Sequence, residues 1–210
     1  MNALDVENFE VLSKNTLILD TRQPDVFILE FIPRSINIGL GDHFMEWVQR
    51  LLPKETPLSI VADEQDVADT YSVLDGLGYK NIMGHLSGGI QAWRNADKAF
   101  DLIVDVTEEE AALDFKFDKK ILLVDVREPV AFENSHVENA ENFPLHAIVD
   151  PLQIAQLDED SNIYVYCEEG YKSAIACSIM KKEGFQNIRN ILGGFQALKS
   201  NPNIKIISGK

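Results

Sequence analysis

The chain has 210 residues, room for one large domain or two of about 100 residues each, with 45% apolar and 25% charged residues in an ordinary globular balance. A net charge of −15 argues against nucleic acid and anionic membranes as partners, and it repels small anions at long range. No apolar run reaches the ~18 residues of a membrane span and no leader pattern opens the chain, so a cytoplasmic protein is expected, provided Met1 is its natural start.

The first apolar strand, Leu17-Ile18-Leu19, runs into Asp20-Thr21-Arg22-Gln23-Pro24. A second, Leu58–Val61, runs into Ala62-Asp63-Glu64-Gln65-Asp66. Gly88-Gly89-Ile90-Gln91-Ala92 closes the first half, and a domain boundary falls near residues 98–104. Leu102–Val106 supplies a short lead-in strand, for which the first half has little room before its first helix. That asymmetry suggests a truncated fusion. Thr107-Glu108-Glu109-Glu110 is a capping box that opens a helix. Ile121–Asp125 and Ile163–Tyr166 are apolar strands. Ser173–Glu183 has Ile175, Ile179 and Met180 at helical spacing, and Gly184 ends it as a cap.

The chain repeats itself. Leu122-Leu123-Val124-Asp125-Val126-Arg127-Glu128-Pro129 matches the first strand and its D-x-R-x-P at an offset of 105 residues, and Gly193-Gly194-Phe195-Gln196-Ala197 matches Gly88–Ala92 at the same offset. Between them, Gly78-Tyr79-Lys80-Asn81-Ile82 matches Gly184-Phe185-Gln186-Asn187-Ile188 at 106. A period this long means a duplicated domain, not a solenoid. Alternating β and α with buried strands predicts an α/β fold: two domains, each a mostly parallel sheet of about five strands with helices on both faces.

Chemistry concentrates at Cys167. It follows the strand Ile163–Tyr166 and precedes a helix, at the sheet edge where open α/β folds place their sites. Loop amides and the free N–H groups of the helix's first turn form an anion cradle that stabilises a thiolate. Gly170 lets the backbone curl, Lys172 adds a cation and Ser173 is expected to cap the helix. The other cysteine, Cys177 in Ala174-Ile175-Ala176-Cys177, reads as core. His43, His85, His136 and His146 are scattered without ligand spacing, so no metal site is expected, and no cofactor.

These residues resemble the rhodanese family: C-x-x-G-x-K-S after a strand, D-x-R-x-P upstream and G-G-F-x-A downstream. The resemblance covers nearly the whole chain, once per half, although the first half has no cysteine. The resemblance implies a sulfurtransferase. The Cys167 thiolate takes the outer sulfur of thiosulfate or a persulfide, holds it as a Cys167 persulfide, and passes it to a thiol or cyanide. Glu168, Glu169, Gly170, Tyr171, Lys172 and Ser173 become the expected substrate-binding loop. Arg127 either joins them or ties loops together by ion pairs. Both halves in this order are also similar to the tandem rhodanese region that follows a metallo-β-lactamase-fold domain in persulfide-dioxygenase-like fusions, which makes such a domain an expected partner.

The halves are not equal. Ungapped alignment back from Gly78 puts Val61 at the Cys167 position, Glu64 at Gly170 and Asp66 at Lys172. Residues 1–100 are therefore expected to be catalytically silent, and residues 101–210 to hold the active site. Glu168 and Glu169 oppose both a thiolate and a dianionic donor, and Lys172 lacks the fork of an arginine. Both features favour persulfide or protein-borne sulfur over thiosulfate, and a sulfur-carrier or binding module is the alternative function. Leu198 stands where the family has Trp, and Ser135-His136 replaces Gly-His. A phosphatase or arsenate reductase of the related cysteine-loop fold needs C-x5-R, one residue longer than Cys167–Lys172 and ending in Arg, where this chain has Ser173.

Overall fold

The computed structural model describes residues 1–209. It divides into two compact units, Met1–Leu102 and Ile103–Lys210.

In the first unit, strand β1 (Ala3–Leu4) leads into helix α1 (Val6–Ser13). Asp5 caps that helix, its carboxylate accepting from the Asn8 amide at 2.9 Å. Then come β2 (Leu17–Asp20), the short α2 (Pro24–Phe27), β3 (Ile36–Asn37), α3 (Phe44–Leu51), β4 (Leu58–Val61), α4 (Val67–Gly76), β5 (Ile82–Leu86) and α5 (Gly89–Asn95). Proline at the first position of α2 suits a helix start, where no amide is needed. Phe44, Trp47, Val48 and Leu51 recur at helical spacing and turn one face of α3 into the core. The strands form a five-stranded parallel sheet ordered β1-β5-β4-β2-β3 among the described residues. The first half does hold a lead-in strand despite the little room before its first helix: in β1, Ala3 and Leu4 pair with His85 and Leu86. Two residues are too few for an alternating pattern to announce them.

The second unit repeats the plan with β6 (Val104–Val106), α6 (Glu108–Phe117), β7 (Ile121–Asp125), α7 (Pro129–Asn134), β8 (Ser135–Val137), β9 (Ala140–Asn142), α8 (Leu145–Ile148), α9 (Pro151–Ile154), β10 (Asn162–Tyr166), α10 (Tyr171–Lys182), β11 (Ile188–Ile191), α11 (Gly194–Ser200) and β12 (Ile206–Ser208). Its parallel sheet is ordered β6-β11-β10-β7-β9, and β12 pairs antiparallel with β8 as a separate ribbon. The reciprocal capping box of Thr107 and Glu110 starts α6. Side chains alternate across β10. Tyr164 and Tyr166 share a core with Ala111, Phe195 and Leu198, so α6 and α11 cover that face, and Ile163 and Val165 point to the other, where α10 packs. Both units thus have the α/β architecture read from the repeat. Helix α10 begins at Tyr171, two residues before Ser173, and its N-cap is Gly170 in the left-handed region.

Candidate active site

A buried fork at the end of β7 anchors the site. The Asp125 carboxylate accepts from the Arg127 amide at 2.9 Å, from Nε at 3.0 Å and from Nη2 at 2.7 Å. Nη2 also donates to the Ser135 carbonyl at 2.7 Å, and the guanidinium lies 3.8 Å from the centroid of the Phe195 ring. Asn142 on β9 donates to the carbonyls of Asp125 and Arg127, closing the turn. Burial pulls the Arg127 pKa down, but the hydrogen bonds and charge of Asp125, with the hydrogen bond to Glu168, outweigh it and the net direction is up. Arg127 therefore stays charged and ties β7, β8 and the Cys167 loop together.

The loop from β10 to α10 carries Cys167, which is 2% exposed. The Gly170 amide donates to its Sγ at 3.1 Å. Gly170 stands at φ +117, a conformation open to glycine that turns this N–H back toward the sulfur. Glu168 and Gly170 to Lys172 are half-buried, Glu169 is exposed and Ser173 is buried. Ser173 does not act as N-cap: it lies inside the helix, and its hydroxyl donates to the Gly170 carbonyl at 2.9 Å. The left-handed Gly170 takes the cap position, which the serine rule alone does not reveal.

The Gly193-Gly194 turn holds the loop from below. The Phe195 amide donates to the Cys167 carbonyl at 2.7 Å, and the Gln196 amide to the Glu168 carbonyl at 3.3 Å. Gly194 has φ +56, and a Cβ there would lie 2.5 Å from the Cys167 oxygen. Only glycine permits this approach. The Glu168 carboxylate is held from two sides, by Arg127 Nη1 at 3.2 Å and by Gln196 Nε2. Phe195, Gln196 and Asn142 were not singled out as site residues from the sequence. The recurrence of G-G-x-Q-A and of Asn37 as Asn142 in both halves is the signal that marks them.

Cys177 lies in the core of α10, and burial pushes its thiol well up. His136 donates from Nδ1 to the Phe132 carbonyl at 2.8 Å and stacks on the Phe132 ring. Leu198, in the place of the family's tryptophan, is fully buried in the core beside Tyr166. No group of three or more His, Cys, Asp or Glu side chains among the described residues could hold a metal ion.

The first unit keeps the frame without the nucleophile. Arg22 forks onto Asp20, and Asn37 bridges the carbonyls of Asp20 and Arg22. Strand register corrects the alignment of its loop. Asp20 pairs with Val61 as Asp125 pairs with Tyr166, so Ala62, not Val61, stands at the Cys167 position. A Cβ on Gly89 would meet the Ala62 carbonyl at 2.9 Å, as one on Gly194 would meet that of Cys167. At the far ends of α4 and α10, the Tyr79 amide on Leu74 matches the Phe185 amide on Met180. The first unit is thus one residue shorter between strand end and helix end, and counting back from Gly78 carried that deletion into the strand.

The rhodanese-like domain model matches residues 7–96 and 101–201. The chain therefore belongs to the rhodanese-like family, with two tandem domains. It is 34% identical over 91 residues to YqhL of Bacillus subtilis, covering 43% of this chain and 68% of that protein. It is 35% identical over 75 residues to the thiosulfate sulfurtransferase GlpE of Pseudomonas syringae, covering 36% of this chain and 69% of that protein. A sulfurtransferase of Allochromatium vinosum matches at 25% identity over 96 residues, covering 46% of this chain and 88% of that protein. Family membership supports a sulfur-transferring or sulfur-carrying role. No helix among the described residues is long and apolar enough to cross a membrane.

Proposed function

We propose that the second domain, residues 101–210, is a single-site sulfurtransferase working through a persulfide on Cys167, and that the first, residues 1–100, is catalytically silent. One observation carries the proposal: Cys167 Sγ sits at a strand end with the Gly170 amide donating to it at 3.1 Å. That donor stabilises negative charge on sulfur. The thiolate attacks the outer sulfur of thiosulfate or a persulfide. A new S–S bond forms, the donor's S–S bond breaks, and its electron pair leaves on sulfite or a thiolate. The terminal sulfur of the Cys167 persulfide is then attacked by a thiol or cyanide, and its bond to Cys167 breaks with the pair returning to Sγ. No net oxidation occurs and no cofactor is required.

In this scheme Glu168, Glu169, Gly170, Tyr171, Lys172 and Ser173 form the wall that donors approach, and Arg127 positions the loop from beneath. Ala62 in place of a cysteine supports a silent first domain. A reduced, reactive thiol fits the cytoplasm. The similarity in order to the region following a metallo-β-lactamase-fold domain makes a persulfide dioxygenase of that fold the partner we favour. Steady-state transfer of sulfur from thiosulfate or a persulfide to cyanide or a thiol tests the proposal: Cys167→Ser abolishes it, and retained transfer in that variant refutes the assignment.

A second reading, a sulfur-carrier module with little turnover on free substrates, is favoured by the burial of Cys167 and by Glu168 beside it. Stoichiometric loading with slow discharge to small acceptors, and fast discharge to a protein thiol, distinguishes it from the first.

A further inference from the structure

Each D-x-R fork commits Nε and Nη2 of its arginine to the aspartate, leaving Nη1 as the edge not bonded to it. In the first unit Arg22 Nη1 is buried without a hydrogen-bond partner among the described residues. In the second, Arg127 Nη1 meets Glu168 Oε2 at 3.2 Å. Gln196 holds the other carboxylate oxygen, and its amide holds the Glu168 carbonyl at 3.3 Å. Glu168 is thus fixed in place by groups on two other elements. It follows Cys167 directly, and its side chain is 44% exposed, so its charge faces whatever approaches the sulfur.

We propose that Glu168 is the residue that sets donor class: held by Arg127 and Gln196 directly after Cys167, it selects monoanionic organic persulfides against dianionic thiosulfate. This rests on the sulfurtransferase reading above and narrows its substrate. Thiosulfate brings two negative charges and leaves as sulfite, with both charges close to the reacting sulfur. A small alkyl persulfide brings one and leaves as a thiolate. One extra unit charge at about 6 Å from a fixed carboxylate, at an effective dielectric near that of a protein surface, changes a rate by roughly tenfold or more. Glu169, on the same donor-facing loop but exposed and with no such anchors described, is the comparison: a carboxylate that nothing holds in place.

The test follows sulfur addition to Cys167 in the full chain by mass, with thiosulfate and with the persulfide of 2-mercaptoethanol as donors. The ratio of the two loading rates is compared in wild type, Glu168→Gln and Glu169→Gln. Glutamine keeps the shape and the hydrogen bond to Gln196 but removes the charge. The thiosulfate-to-persulfide ratio is expected to rise about tenfold in Glu168→Gln and less than about threefold in Glu169→Gln. In wild type the same ratio rises with added inert salt, which screens the carboxylate without any substitution. An unchanged ratio in Glu168→Gln, or an equal rise in both variants, overturns the assignment of Glu168 while leaving sulfur transfer intact. No sulfur addition from either donor in wild type overturns the sulfurtransferase reading itself, and this inference with it.

Discussion

Gly194 shows how much of the site rests on single atoms. Its left-handed backbone and the 2.5 Å that a Cβ would leave to the Cys167 carbonyl make alanine doubly unsuitable there. Gly194→Ala is expected to destabilise the second domain by about 2 kcal/mol in urea denaturation and to slow sulfur loading by displacing the loop. Arg127 is the second such point. Removing it leaves Asp125 buried without its counter-ion, so Arg127→Ala is expected to cost about 3–5 kcal/mol. Arg127→Lys also destabilises, since one ammonium cannot span Asp125, the Ser135 carbonyl and Glu168. At this scale the sequence displayed the cysteine, the loop glycine and the paired carboxylates. It did not display that Glu168 turns back onto Arg127, because a pairing between residues 41 positions apart depends on how the two strand ends meet. The Arg127 guanidinium donates to Asp125, Ser135 and Glu168 across the same strand ends.

The elements were legible where their signal is long or chemically specific. Strands β7 and β10 are continuous apolar runs, α6 carries a capping box, and Gly184 follows the end of α10 at φ +106. Strand β1 leaves no sequence signal because two residues have no periodicity, and α10 starts before Ser173 because a glycine, not the serine, holds the cap. Strand β5 carries a consequence for pH. His85 is buried against Tyr71, and burial outweighs the pull of Glu64 to lower its pKa from 6.5. The unfolded chain therefore binds the proton more readily than the folded one. The first domain is expected to lose stability as pH falls through the unfolded value of 6.5, and the loss levels off below the folded value. In denaturation series between neutral and mildly acid pH, His85→Asn should show a smaller loss over this window than wild type. An equal slope in both would mean that His85 protonates in place without cost.

Over the whole molecule, the duplication was the most readable feature, since D-x-R-x-P and G-G-x-Q-A recur in one register at an offset of 105 residues. The one-residue deletion in the first domain is visible in the sequence only as a change of offset to 106, and strand pairing places it after Ala62. That segment lacks the cysteine and the left-handed glycine, and the stretch from strand end to helix end is one residue shorter. A cysteine alone is not expected to restore chemistry there: Ala62 is buried and its segment has no left-handed glycine, so Ala62→Cys should acquire no stable sulfur from donors that load Cys167. The most direct test of the whole account is the intact mass of the full chain after treatment with a persulfide donor, in wild type, Cys167→Ser and Ala62→Cys/Cys167→Ser. The account predicts one added sulfur atom per chain in wild type, discharged by cyanide or thiol, and none in either variant. Sulfur on the Cys167→Ser chain, or a second discharged sulfur in wild type, would contradict it.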